Sequence, residues 1–123
     1  MRRRSSTLTE QELEIMKIVW ELESVTVRDV YEALLERRKV AYTTVMTMLK
    51  ILEHKEYLSK KQADRAYVYR AAQPKRQVIG AMVREFVNRV FNGSAEPLLV
   101  HLVEEHNLTR EELEEIARLR RKS

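Results

Sequence analysis

The residues with the most to offer chemically lie between Tyr42 and His54, and their chemistry is recognition rather than catalysis. At helical steps of ~100° per residue, Val45, Met48, Leu49 and Leu52 share one sector, which is a core face. Thr43, Met46, Thr47 and Lys50 share the opposite one, with Tyr42 at the start of the run and Thr44 at the sector's edge. This second face is short, largely uncharged and hydrogen-bonding, unlike the long Glu, Lys and Arg side chains of an ordinary solvated helix. Hydroxyls, methyls, a thioether and one ammonium suit the major groove of DNA, where base edges offer donors, acceptors and the thymine methyl. The alternative is a helix lying on another protein. Thr43, Thr44 and Thr47 each cost ~0.5 kcal/mol in helix propensity against Ala, so their crowding needs a reason.

A second group follows directly. Tyr57 to Lys61 and Ala66 to Arg70 are short β-prone runs, with Tyr57, Tyr67 and Tyr69 supplying strand propensity. Between them Gln62-Ala63-Asp64-Arg65 reads as a four-residue loop, with Asp64 as its turn-former. Lys60, Lys61, Arg65 and Arg70 surround that hairpin with positive charge able to reach a phosphate. The same lysines would also suit an edge strand guarded against aggregation. The hairpin's position directly after a recognition-type helix points to the first use. Residues 37 to 70 hold nine basic and three acidic side chains, whereas the flanking segments are near neutral or mildly acidic, and a basic middle fits a polyanion.

The elements that must position these residues can be read from caps, because two glycines and two prolines leave little other punctuation. Thr9 with Glu12 forms a capping box that starts a first helix bearing Ile15, Met16, Ile18, Val19, Trp20 and Leu22. Thr26 caps a second helix, with Asp29 near its positive end and Val30, Ala33 and Leu34 facing inward, which runs to about Arg37-Arg38-Lys39. Helix, helix, recognition-type helix and basic hairpin is the winged-helix order. Pro74 then opens a new part. Val78, Met82, Val83, Phe86, Val87, Val90 and Phe91 recur at helical spacing up to Asn92-Gly93, a left-handed cap. Leu98, Leu99, Leu102 and Val103 mark a further helix, and a Thr109/Glu112 capping box opens a last one with Leu113, Ile116 and Leu119. The expected fold is mostly α. A winged helix-turn-helix domain of three helices plus a β-hairpin wing occupies residues 1–73, and a C-terminal helical dimerisation region occupies residues 74–123. The apolar load on Phe86, Val90, Phe91, Leu98, Leu99, Leu102 and Leu119 exceeds what three short helices can bury alone, so self-association is expected. The alternative is that these helices fold back into one monomeric core.

Other functions find little support. The absence of cysteine removes disulfides, thiolate metal sites and cysteine nucleophiles, and fits a reducing cytosol. No stretch approaches the ~18 apolar residues of a membrane span, and Arg2-Arg3-Arg4 lacks the apolar run of a secretion signal, so the protein is expected to be cytoplasmic. Those three arginines would also suit a flexible arm on DNA phosphates, or a terminus without function. Of three histidines, His101 and His106 stand ~140° apart on one helix and cannot share a metal. Glycine-rich phosphate loops, serine elbows and carboxylate–histidine clusters are missing, and Glu111, Glu112, Glu114 and Glu115 read as a solvated acidic first turn. No enzyme, metal or cofactor is expected. A winged-helix adaptor that binds protein rather than DNA stays open, since folds do not fix functions.

Leu8 to Trp20, Val27-Arg28-Asp29-Val30, and above all Ala41 to Lys50 (AYTTVMTMLK) together resemble the penicillinase-repressor family over nearly the whole chain. The resemblance implies a homodimeric transcriptional repressor on an inverted-repeat DNA operator, with the C-terminal helices making the dimer and the wings, up to Tyr67-Val68-Tyr69-Arg70, flanking the duplex. It also implies a signal-activated protease as a partner, cutting at the position of His101-Leu102, where antibiotic-responsive members have Asn-Phe. A copper-responsive branch needs a C-terminal cysteine cluster, which this chain lacks. At Glu56 the family usually has Gly, and a left-handed cap there would cost about 1 kcal/mol in a non-Gly residue.

Overall fold

The computed structural model describes residues 7–122, so the Arg2-Arg3-Arg4 arm lies outside the described residues. Its elements are α1 (Glu10–Leu22), α2 (Val27–Leu35), α3 (Tyr42–His54), β1 (Leu58–Ala63), β2 (Ala66–Ala71), α4 (Lys75–Phe91), α5 (Glu96–His106) and α6 (Arg110–Lys122). They fall into two compact units, residues 1–79 and 80–123, so the break lies inside α4 rather than at Pro74. The first turn of α4 belongs with the amino-terminal unit, where Val78 is buried and the Trp20 indole N–H donates to the Gln73 carbonyl at 3.1 Å.

Threonine sets the starts of three helices. The Thr9 hydroxyl accepts from the Glu12 amide at 3.1 Å while the Glu12 carboxylate accepts from the Thr9 amide at 2.9 Å. Thr26 and Asp29 repeat the arrangement for α2, and Thr109 and Glu112 for α6. The apolar stripes then close on one another. Ile15, Met16 and Val19 of α1, Val30 and Leu34 of α2, and Val45, Leu49 and Leu52 of α3 are all at most 1% exposed. Burial of this kind contributes ~1.5–3 kcal/mol per large side chain, which is what holds three short helices in place.

The structure extends the hairpin and shortens its turn. Strands β1 and β2 pair antiparallel from Leu58↔Ala71 to Ala63↔Ala66, leaving only Asp64 and Arg65 between them instead of the expected four residues. Asp64 takes a left-handed backbone, φ 56°, which its short side chain tolerates and a two-residue turn requires. Val25, before α2, adds a bridge to Tyr69 with two backbone hydrogen bonds of 3.0 and 2.7 Å, tying the wing to the helices. Tyr57 is not a strand residue. Its amide bonds the Leu52 carbonyl, and the Glu56 amide bonds that of Glu53, which is a Schellman ending for α3 with Glu56 left-handed at φ 71°. The helix α2 stops at Leu35, short of the expected Arg37-Arg38-Lys39, and the chain leaves it through a tighter turn in which the Arg37 amide bonds the Leu34 carbonyl three residues back at 2.9 Å.

The carboxy-terminal unit has the expected helices, with the expected left-handed stop at Asn92-Gly93 (φ 55° and 89°) and another at Asn107 (φ 51°). Among the described residues, no helix is long and apolar enough to cross a membrane.

Candidate nucleic-acid interface

Helix α3 separates its two faces as its periodicity requires. Val45, Leu49 and Leu52 are sealed in the core, and Tyr42, Thr43, Thr44, Met46, Thr47 and Lys50 are all exposed. Met48, expected in the core, is only half-buried, at the seam between the faces. The Tyr42 ring is held edge-on by Tyr31 of α2, with centroids 5.3 Å apart at 76°. Ala41 caps α3 without a side-chain hydrogen bond, so no hydroxyl closes this start as the threonines close α1, α2 and α6. An uncapped helix start presents amide N–H groups and the positive end of the dipole, the usual partners of a phosphate.

Thr43, Thr44 and Thr47 also line an open groove of about 410 Å³ with Met48, Ile51 and, from α1, Gln11 and Glu12. Gln11 therefore joins the hydrogen-bonding face of α3. Sequence periodicity had no means of finding it, because it lies on another helix and its neighbours are set by packing alone.

In the wing the basic residues divide. The Lys60 ammonium lies 4.4 Å above the Tyr67 ring and 3.5 Å from a Glu53 carboxylate oxygen, so it holds the wing against α3 as well as adding positive charge. Lys61 and Arg65 are exposed, and none of the ion pairs among the described residues uses them. Two further ties were not foreseen. The Lys55 ammonium, just past α3, donates to both oxygens of the buried Glu12 carboxylate at 2.9 and 3.1 Å. Glu14 accepts from Arg38 at 2.8 Å, with Arg37 at 3.7 Å. Both join segments far apart in the chain and have no local signature.

In the carboxy-terminal unit Phe86, Val90, Leu99, Leu102 and Leu119 are exposed, by 39 to 58%, and Phe91 and Leu98 are half-buried. The Phe91 ring lies against Phe86 at 6.0 Å and against His101 at 5.9 Å, and both His101 and Leu102 are accessible on α5. Among the described residues no group of His, Cys, Asp and Glu is placed to hold a metal.

Three packed helices, a third helix with a clean polar outer face and a basic hairpin bridged back to the helices define a winged helix-turn-helix protein. The model of the family described as "Penicillinase repressor" matches residues 8–122, and the chain belongs to that family. The transcriptional regulator BlaI of Mycobacterium tuberculosis is 38% identical over 99 residues, 79% of this chain and 72% of that protein. A penicillinase repressor of Bacillus licheniformis is 28% identical over 109 residues, 89% of this chain and 85% of that one. Among solved structures, the DNA-binding domain of the repressor BlaI matches with a TM-score of 0.54 and 26% identity, over 60% of this chain and 90% of that domain. The Bacillus licheniformis BlaI monomer in complex with the blaP half-operator matches at 0.50 and 28%, over 56% and 84%.

Proposed function

We propose that this protein is a cytoplasmic, sequence-specific DNA-binding transcriptional repressor that acts as a homodimer on an inverted-repeat operator. The observation that carries the reading is the outer face of α3, where Thr43, Thr47 and Lys50 stand free above a sealed core beside an uncapped helix start. A relative with the same amino-terminal fold is known in complex with its half-operator, which supports placing DNA against this face. Thr43, Thr47 and Lys50 would read base edges, with Tyr42, Thr44 and Met46 at the margin, while Lys60, Lys61 and Arg65 meet phosphates, Lys60 also holding the wing against α3. The exposed Phe86, Val90, Leu99, Leu102 and Leu119 support a dimer, which would hold two reading helices ~34 Å apart and raise the effective concentration of the second half-site. A signal-activated protease cutting between His101 and Leu102 would remove the end of α5 and all of α6, and release the operator by weakening the dimer.

Selection of bound sequences from random duplex DNA tests the reading, and a palindromic motif is expected. Against that motif Thr47→Ala should lose ~1–3 kcal/mol of specific binding with the fold unchanged. Lys61→Ala and Arg65→Ala should weaken binding to all sequences alike and lower the salt slope by ~1 each. No enriched motif, or wild-type operator affinity in Thr47→Ala at fixed salt, would remove the assigned face.

A further inference from the structure

The reading face of α3 has a different neighbour on each flank. At ~100° per residue its middle falls between the directions of Thr43 and Lys50, and from there Glu53 lies ~70° to one side while Thr44 and Ile51 lie ~100° to the other. Glu53 meets the Lys60 ammonium at 3.5 Å, so the wing stands on the first flank. Thr44 and Ile51 line the groove that Gln11 and Glu12 enter, so the start of α1 stands on the second. A helix seated in a major groove ~12 Å wide has a sugar-phosphate wall on each side. The wing brings Lys60, Lys61 and Arg65 to one wall, and the other faces α1. Of the two residues that α1 adds to the groove, Glu12 is buried and Gln11 is exposed.

Gln11 is also free to act there. None of the hydrogen bonds among the described residues uses its side chain, so both amide hydrogens are available to an acceptor. Its place is fixed by the next residue. The Glu12 carboxylate takes the Thr9 amide at 2.9 Å and the Lys55 ammonium at 2.9 and 3.1 Å, which ties the first turn of α1 to the end of α3. The nearby carboxylates are answered as well. Lys55 neutralises Glu12, Arg38 and Arg37 neutralise Glu14, and Glu10 lines a neighbouring hollow with Glu14 and Arg38 rather than this groove.

We propose that the Gln11 side-chain amide donates to a DNA phosphate oxygen on the groove wall opposite the wing, so that α3 is held in the major groove from both sides. The proposal rests on the DNA-binding reading above and adds a contact from α1 to it. Phosphate contacts from uncharged side chains set the register of a reading helix without carrying sequence information themselves. They also release no counterion, and this gives Gln11 a signature different from that of Lys61 and Arg65.

Titration of the full chain against the selected operator and against a scrambled duplex of equal length, each over a series of salt concentrations, tests this. Gln11→Ala should bind both duplexes about fivefold more weakly with the salt slope unchanged. Gln11→Lys places a cation at the same wall and should steepen the slope by ~1 on both. Neither urea midpoint should fall, because Gln11 is exposed and Ala and Lys are good helix formers. Wild-type affinity in Gln11→Ala, or a slope in Gln11→Lys no steeper than wild type, would overturn the contact while leaving the reading face of α3 standing. A loss in Gln11→Ala confined to the operator would overturn the phosphate assignment in favour of base reading. A wild-type chain that binds neither duplex would instead overturn the DNA-binding reading itself.

Discussion

The two units are built from the same kind of amphipathic helix and end differently. In the amino-terminal unit the stripes of α1, α2 and α3 meet and close, so that Met16, Val19, Val30, Val45, Leu49 and Leu52 have no exposure at all. In the carboxy-terminal unit no residue of α5, and none from Arg110 to Arg120 of α6, is buried, and Leu99, Ile116 and Leu119 stay more than half exposed. An apolar stripe therefore records a need for burial without saying where the burial is found. The first unit satisfies that need within the chain, which leaves the outer face of α3 free to be chosen for recognition. The second leaves it unmet, as a surface built for association would.

Core truncation should break this contrast most sharply. Leu49→Ala removes a fully buried side chain and should cost ~3 kcal/mol of stability. Leu99→Ala, on the open face of α5, should change the stability of the dilute chain by less than ~0.5 kcal/mol and weaken self-association instead. Far-ultraviolet circular dichroism in urea follows the helices of both units, while the fluorescence of the single tryptophan, Trp20, follows the amino-terminal unit alone. Equal losses from the two substitutions would mean that α5 packs into a core of its own.

Next in size is the pair that locks α1 to the end of α3. Glu12 is 5% exposed, closes the Thr9 cap and receives Lys55, so one carboxylate joins the start of α1 to the end of α3. Lys55→Met keeps the aliphatic stem but strands a buried carboxylate, at about 2 kcal/mol, below the full penalty because the Lys55 side chain is a quarter exposed. Adding Glu12→Gln should recover part of the loss, since Gln also completes a capping box. Chemical denaturation of the two variants checks this, and a Lys55→Met chain as stable as wild type would reduce the pair to a surface contact.

What could be read from the sequence follows from the same distinction between local and distant causes. The three threonine caps, the span of α3, its two faces and the Asn92-Gly93 stop depend on neighbours within four or five residues, and the structure has them where periodicity and capping chemistry place them. The Glu12–Lys55 pair, the Val25–Tyr69 bridge and the entry of Gln11 into the α3 groove join residues on separate elements, and nothing near them in sequence marks the contact. The hairpin falls between these cases. Its second strand was legible from Tyr67 and Tyr69, whereas β1 holds no tyrosine and its Gln62 and Ala63 carry no β signal, so their pairing is imposed by the register with Ala66 and Tyr67.

The smallest predicted effect is a gain in stability, and it turns on how each unit fills its left-handed positions. The carboxy-terminal unit uses Asn92, Gly93 and Asn107, residues that tolerate positive φ, whereas the amino-terminal unit, besides Asp64 at 56°, places Glu23 at 74° and Glu56 at 71°. A glutamate there costs about 1 kcal/mol or somewhat more, because its Cβ crowds the following carbonyl. The Schellman bonds run from the Glu56 and Tyr57 backbone amides, and the Gln73 side-chain amide donates to the Glu56 carbonyl at 3.1 Å, so none uses the Glu56 side chain and Gly would keep them all. Gly also gains freedom in the unfolded chain, which returns roughly half of the relief. Glu56→Gly should therefore stabilise the amino-terminal unit by about 0.5 kcal/mol, read as a higher urea midpoint at an unchanged slope. Asn92→Gly, where little strain exists to be relieved, should not stabilise the chain. If Glu56→Gly lowers the midpoint, the Glu56 side chain makes a contribution that outweighs its backbone strain, and the contrast between the two units at these turns would fail.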